Sequence, residues 1–513
     1  MKKILSALLL ALLPLGFLAV MVAAPLFALS DYEGGLLWEV LEDDFIRERL
    51  AWTVVQAAVT CAAVLPLGVL CGWVLARLEF AGRRVLLRLL MLPFVMPTLV
   101  AAMGVLALFG ANGLLWRGWQ DTPYLLLYGN VFFNLPVLIR AAYQGFSAIP
   151  AARLAAAQTL GAGAWQRFWR IELPAVRNWL AGGLCLVFLY CFSGFGLALL
   201  LGGTAYSTVE VEIYRLITVE LDTAQAGVLV WVSLGITALA GALYAYFSKT
   251  AAARDKIRAL RPSENRTFGQ YCLLAAALAV LAVCCALPLA AVAVQAVRAG
   301  SSWQVLADSE AWLAVWNTLR FTFFAMLAAV LLGVSHAALA RQWAWIRGIT
   351  FLPFMVSPVC VAFGVLLLYP EWTASLPLLI ATYALLAYPF VTKDLLAAWD
   401  ALPPNFAAAS RSLGATPLQT LRRVVFPLLY PALQRGLTLA AATCIGEFAA
   451  TLFLSRPEWQ TLTTLVYHYL GTAGADNHDR AMVLTAVLAA LALAVFLLLD
   501  ARENARPSEQ REA

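Results

Sequence analysis

One stretch of this chain occurs twice. The first copy reads Ile149-Pro150, Ala155-Ala156, Leu160-Gly161-Ala162 and then Pro174; the second reads Leu402-Pro403, Ala408-Ala409, Leu413-Gly414-Ala415 and then Pro427. The offset is constant at 253 residues (414 minus 161), and it also carries Gln166 onto Gln419 and Arg170 onto Arg423. Composition could supply the alanines, but not a shared interval of thirteen residues between glycine and proline (174 minus 161, 427 minus 414). An internal repeat of this kind constrains architecture before any local signal does. The chain is expected to fold as two similar halves.

Those halves are apolar. Of 513 residues, 63% are hydrophobic and 12% charged, and the mean hydropathy is +0.82. Soluble domains carry roughly a quarter charged residues, so the composition indicates a polytopic membrane protein. Nine cysteines lie in apolar runs without CxxC-type spacing, and His336, His468 and His478 are scattered, so neither a disulfide framework nor a metal site is expected. No cofactor and no nucleic-acid partner is expected either; membrane lipids are the surroundings.

A bilayer core takes about 20 apolar residues per helix. Twelve spans meet this, at roughly 4–29, 52–76, 87–109, 123–139, 178–201, 226–247, 271–294, 317–339, 347–369, 377–391, 434–454 and 482–499. The apolar run of the first is too long for a signal-peptide core and reads as an uncleaved helix. The fourth and tenth are short and contain Pro136 and Pro389. With a cytosolic N-terminus, 27 of the 35 Lys and Arg fall on inner segments and eight (35 minus 27) on outer ones. The positive-inside rule then places both termini in the cytosol. The first outer loop is acidic instead, with Asp31, Glu33, Glu39, Glu42, Asp43, Asp44 and Glu48.

The expected fold is all-α, with about 12 transmembrane helices arranged as two parallel six-helix repeats. Residues 1–247 form the first repeat with a loop at 150–174, 248–269 a basic cytosolic linker, and 270–513 the second repeat with a loop at 403–427. Further echoes support the duplication. Leu67-Gly68-Val69 matches Leu332-Gly333-Val334, Gly104-Val105-Leu106 matches Gly364-Val365-Leu366, and Leu92-Pro93-Phe94 matches Leu352-Pro353-Phe354. At the 253 offset, Pro136 falls on Pro389, Cys191 on Cys444, Phe195 on Phe448 and Tyr214 on Tyr467.

Each repeated loop reads as a helix–turn–helix on the basic side. A proline starts a short Ala-rich helix at no hydrogen-bonding cost, a glycine permits a positive-φ turn, and a second helix leads through Pro174 or Pro427 into the next span. Two such loops at matched positions suit two similar soluble partners.

These loops resemble the EAA motif of permease subunits of binding-protein-dependent ABC importers, on Gly161, Leu173-Pro174, Gly414 and Pro427. The resemblance extends over nearly the whole chain, in the fused-duplicate form of thiamine and ferric-iron permeases. Phe132-Phe133-Asn134-Leu135-Pro136, Leu201-Gly202-Gly203, Thr208-Val209-Glu210 and Ile213-Tyr214 look most like the thiamine branch. The motif's glutamate is replaced by Ala155 and Ala408, and Phe426 stands before Pro427 in place of Leu.

The resemblance implies two copies of an ABC ATPase subunit docking at Ala155, Ala156, Leu160, Gly161, Ala162 and Pro174 and at Ala408, Ala409, Leu413, Gly414, Ala415 and Pro427. It also implies a periplasmic or lipid-anchored solute-binding protein on the outer face, near Tyr214 and Tyr467, and a bacterial inner-membrane location. Thiamine or its phosphates are the first solute it suggests, and ferric iron the second. The chain has no GxxxxGK[ST] phosphate loop, so a separate chain must hydrolyse ATP, and no catalytic residue is expected here. A secondary transporter of the major-facilitator type would also have six plus six helices, but needs ion-coupling residues within its spans. Glu447 is the conspicuous one, and its repeat mate is Gly194. An intramembrane carboxylate is costly and marks a candidate pathway group; a hydrogen-bonded packing carboxyl is the competing role.

Overall fold

The computed structural model describes residues 12–30, 35–252, 267–350, 352–372 and 375–504. The start of the first expected span and most of the expected linker lie outside them. Among the described residues the architecture is all-α, with no strand.

In chain order the elements used below are α1 (Leu12–Ala28), α2 (Asp44–Arg77), α3 (Thr98–Phe109), α4 (Pro123–Ser147) and α5 (Ala151–Thr159). Then come α6 (Leu173–Phe192), α7 (Phe195–Leu201), α8 (Val209–Arg215), α9 (Thr223–Ala252) and α10 (Phe268–Arg298). The second half supplies α11 (Ser309–Ala340), α12 (Pro358–Leu368), α13 (Leu376–Ala401), α14 (Pro404–Ser412), α15 (Phe426–Ile445), α16 (Ala449–Leu454), α17 (Leu462–Gly471) and α18 (Ala475–Asn504). Nine helical stretches among the described residues are long and apolar enough to cross a bilayer, or ten if a bent pair counts as one span. α1 and α12 are shorter apolar helices.

Several spans differ from their sequence reading. α4 and α13 run on through Pro136 and Pro389 to Ser147 and Ala401, well past the expected ends at 139 and 391. A proline removes one hydrogen bond, but flanking apolar packing keeps the helix going. The third span is broken: Arg83–Val95 and Thr98–Phe109 meet at 96°. The fifth and eleventh are interrupted at Ser193-Gly194 and at Gly446–Phe448.

Packing divides the chain into two compact units that differ from the expected repeats. One gathers the described parts of Met1–Asp31, Val95–Pro97 and Ser301–Ala513; the other holds the described parts of Tyr32–Phe94 and Thr98–Gly300. Each unit therefore includes one apolar helix from the other half of the sequence, α1 in the one and α10 in the other. In the first-half unit, α10 lies on α3: a Cβ on Gly104 would come within 2.8 Å of the Pro288 carbonyl oxygen. Gln295 Nε2 donates to the carbonyls of Ala107 and Asn112 at 3.0 Å. In the second-half unit, α1 lies on α12, where a Cβ on Gly364 would come within 2.8 Å of Pro25 Cβ. Tyr369 Oη donates to the Val20 carbonyl at 2.9 Å. The glycine of the shared Gly-Val-Leu motif thus admits a proline-bearing helix in both units.

The repeat is visible inside each unit in other contacts. A Cβ on Gly68 or Gly183 would press on Leu138, and one on Gly333 or Gly436 would press on Val391, the residue at the matching position. Val209 N donates to Thr53 Oγ1 at 3.0 Å, and Leu462 N to Thr318 Oγ1 at 3.0 Å. Small residues at these crossings let helix backbones approach closely, which is where packing in lipid gains most.

Candidate functional site: paired loops and broken helices

Both repeated loops fold as expected from their residues. Gly161 and Gly414 take φ of +80° and +82°, the left-handed region where an L side chain is strained. Around each, the end of the short helix closes in the same way. Gly161 N donates to Gln158 O at 3.0 Å and Ala162 N to Ala157 O at 3.0 Å. Gly414 N donates to Arg411 O at 3.0 Å and Ala415 N to Ser410 O at 3.2 Å. These bonds satisfy the last carbonyls of α5 and α14. The side-chain oxygens of Gln166 and Gln419 then reach back to accept from Gly163 N at 3.3 Å and Thr416 N at 2.9 Å, starting the second helix.

Past that start, both loops make one wide turn before the span begins. Leu173 N bonds to Phe168 O, and Phe426 N to Leu421 O, five residues back in each case. Turns of this kind also occur at Ala19–Ala23, Leu216–Glu220 and Ala282–Ala286, so it is their matched position in the two loops that is informative. Pro174 and Pro427 sit exposed in the first turn of α6 and α15.

The loops present an apolar surface. Leu160 and Leu413 are each 87% exposed at the tips, with Trp165 at 73% and Leu418 at 72% beside them. Ala155, Ala156, Ala408 and Ala409 lie exposed along α5 and α14, and Ala162 and Ala415 are half-buried.

Glu447 and Gly194 occupy the two helix breaks, each in its own unit. The Glu447 carboxylate is buried, and its Oε1 accepts from Ala450 N at 2.8 Å, capping α16. Its carbonyl accepts from Thr463 Oγ1 at 3.0 Å. Beside the break, Tyr383 and Thr451 share a hydroxyl–hydroxyl hydrogen bond. A Cβ on Gly446 would come within 2.9 Å of Pro97 Cα, which belongs to the same unit. At the other break, a Cβ on Gly194 would come within 2.7 Å of Tyr190 O, a close approach that favours glycine.

The first-half unit holds a polar cluster near its break that sequence reasoning missed. Asn130 Nδ2 donates to Gln56 Oε1 at 2.6 Å, and Gln56 Nε2 donates to Cys191 O at 2.9 Å. Single amides inside long apolar helices carry no periodic signal, so nothing in the sequence pointed to them.

Tyr214 and Tyr467 are equivalent in space as well as in sequence, packed edge-on to Phe195 and Phe448 at 5.5 and 5.2 Å between ring centroids. Next to Tyr214, burial pushes the Glu212 carboxyl up, and the neighbouring Arg215 guanidinium, 2.8 Å away, opposes it. Among the described residues no group of His, Cys, Asp and Glu side chains could hold a metal ion.

A duplicated bundle of membrane-length helices with two matched helix–turn–helix loops defines a membrane transport component. The family described as "Binding-protein-dependent transport system inner membrane component" matches the chain twice, over residues 65–254 and 322–501. The chain belongs to that family: it is an inner-membrane permease component of an ABC importer, a transport subunit and not itself an enzyme. This excludes the major-facilitator alternative.

Full-length relatives agree. The thiamine transport system permease protein ThiP of Brucella abortus (strain 2308) is 28% identical over 520 residues, covering 95% of this chain and 94% of its own. ThiP of Salmonella typhimurium is 29% identical, covering 94% and 92%. ThiP of Escherichia coli (strain K12) is 29% identical, covering 85% and 87%. Among solved structures, a bacterial ABC transporter involved in the import of alginate aligns at 17% identity and a TM-score of 0.41, over 50% of this chain and 97% of that one.

Proposed function

We propose that the chain carries thiamine or its phosphates inward, driven by two copies of an ATPase subunit docked on the loops 150–174 and 403–427. The supporting observation is that those loops share one backbone, down to the positive φ at Gly161 and Gly414 and the wide turn that begins seven residues later (168 minus 161, 421 minus 414). Two like surfaces call for two like partners, and the missing phosphate loop calls for partners that hydrolyse ATP. In this reading both termini are cytosolic, which puts the two loops on the same side as the nucleotide. A solute-binding protein docks on the outer face around the Tyr214 and Tyr467 segments. Glu447 and Gly194 are assigned to the translocation pathway.

Thiamine is supported by the names of the full-length relatives, which specify thiamine and not iron. It also agrees with the acidic first outer loop, which favours a cation locally within about 8 Å at physiological salt. The test is uptake in a strain deleted for this gene, with labelled thiamine and ferric salts supplied separately. Loss of thiamine uptake, restored by the intact gene, is expected; loss of iron uptake with thiamine unaffected would overturn the substrate assignment.

A further inference from the structure

The two loops share a backbone but are not anchored alike. In the first, the wide turn Phe168–Glu172 ends on a carboxylate that is buried, and its Oε2 takes three contacts. Trp73 Nε1 donates at 3.1 Å, Arg77 Nε donates at 3.0 Å, and Arg77 Nη2 lies at 3.0 Å. Both partners belong to α2, Arg77 being its last residue. The pair is nine-tenths buried on both sides, with side chains 6% and 8% exposed.

The residues of this pair have no charged counterparts in the second half. Glu172 falls on Val425 at the loop offset of 253, and Arg77 falls on Gln342 at the helix offset of 265 (332 minus 67). The second loop is instead tied to itself, through the Ser410 and Thr420 hydroxyls at 3.0 Å. Their first-half counterparts are Ala157 and Arg167, which cannot make that bond.

A buried ion pair is a poor means of adding stability, because desolvating two charges offsets most of their attraction. Its geometry is nonetheless specific, since an off-register carboxylate leaves a guanidinium buried and unpaired. We infer that Glu172, held by Trp73 and Arg77, is a positioning residue that locks the first loop to α2, so that displacement of that loop moves α2 with it. The second loop has no such carboxylate, because Val425 stands at that position. That coupling to α2 rests on the reading that both loops receive ATPase subunits, and it makes the two docking sites unequal in what they transmit.

The test separates positioning from mere stability by replacing the pair with apolar residues of similar size, which commonly preserves folding. The full chain is assembled with its ATPase and binding protein in proteoliposomes. Labelled thiamine taken up per ATP hydrolysed is compared among wild type, the Arg77→Met, Glu172→Met double variant, Trp73→Phe and Val425→Met. The expected result is a fivefold or larger fall in that ratio for the double variant, a smaller fall for Trp73→Phe, and no change for Val425→Met. Wild-type ratios in the double variant would overturn the inference. Should the double variant not assemble, an unchanged ratio in Trp73→Phe would overturn it, because that substitution keeps the ring and removes only one donor to Glu172. Failure of wild type to retain the ATPase on purification would sink the docking reading, and retention without thiamine uptake would sink the substrate assignment.

Discussion

Gly161 offers a sharp test of the paired-loop reading, because its environment isolates one physical cause. Its φ is +80°, and a Cβ built there would meet no atom within 4 Å. A side chain therefore costs nothing through clashes, and the whole penalty lies in the backbone. Left-handed conformation costs an L-residue roughly 1–2 kcal/mol, and β-branched residues are the worst placed to adopt it. Gly414, at +82° and equally open, should behave identically. A shift of one to two kcal/mol changes a conformational population by a factor of about 5–30.

Gly161→Val should accordingly leave membrane accumulation unchanged, because nothing around it must move, while reducing the fraction of loops in the docking conformation. We expect uptake per unit of membrane protein to fall about fivefold or more in each single variant and further in the double. Asn visits the left-handed region more readily than other non-glycine residues, so Gly161→Asn should recover most of the activity lost by Gly161→Val. Wild-type uptake in a well-accumulated Gly161→Val, Gly414→Val variant would refute the coupling role. An Asn variant as defective as the Val variant would refute the backbone argument, since it would mean glycine is needed for room against a partner.

Other outcomes follow from the same geometry. The purified chain alone should release no phosphate from ATP above background, measured by a colorimetric assay, and the activity should appear when the ATPase chain is added. Gly436→Ala should lower the melting temperature in detergent, since its Cβ would lie 2.8 Å from Val391 Cα and 3.1 Å from the Phe390 carbonyl oxygen; overpacking of this kind costs about 1–3 kcal/mol. Gly235→Ala, where no atom lies within 4 Å, should leave it unchanged or raise it. Glu447→Gln keeps an oxygen that can accept from Ala450 N, so it should accumulate normally and lose uptake if the charge serves the pathway. Glu447→Ala removes the cap, at about 0.5–2 kcal/mol, and normal uptake in Glu447→Gln would assign the carboxylate to capping alone.

The sequence carried the architecture because membrane helices are read from long apolar runs and a duplication is read from spacing. Gly161 and Gly414 were legible for a further reason: a glycine between two short helices has few uses besides a positive-φ turn. The helix breaks were not legible. Ser193-Gly194 and Gly446-Glu447 sit within continuous apolar stretches, and hydropathy cannot distinguish a straight span from a broken one. The prolines misled in the opposite direction, since Pro136 and Pro389 stand inside helices that continue beyond them. The exchange of α1 and α10 between units was invisible as well. It depends on Pro288 seating at Gly104 and Pro25 at Gly364, contacts between residues far apart in the chain. The Arg77–Glu172 pair left no trace, because two charges 95 residues apart look like ordinary loop charges until the fold buries them.

Having both halves in one chain has a consequence that two identical subunits could not reproduce. In a symmetric dimer any polar group near the helix breaks appears twice, whereas a fused duplicate can keep a group on one side only. This chain does so repeatedly, and at interior positions. Where the first-half unit pairs the amides of Gln56 and Asn130, the matching positions of the second hold the rings of Phe321 and Tyr383, edge-on at 6.5 Å. Where the second-half unit has the Glu447 carboxylate, the first has Gly194. Buried polar groups are expensive in lipid and are not lost or gained freely. Meanwhile the packing glycines Gly68 and Gly333, Gly183 and Gly436, and the loop glycines Gly161 and Gly414 have stayed paired. Divergence is thus marked at polar positions beside the helix breaks, while helix crossings and loop turns are retained. That distribution agrees with the function proposed above: two loops of like backbone for two like partners, and unlike polar groups at the two helix breaks assigned to the pathway of an asymmetric organic cation.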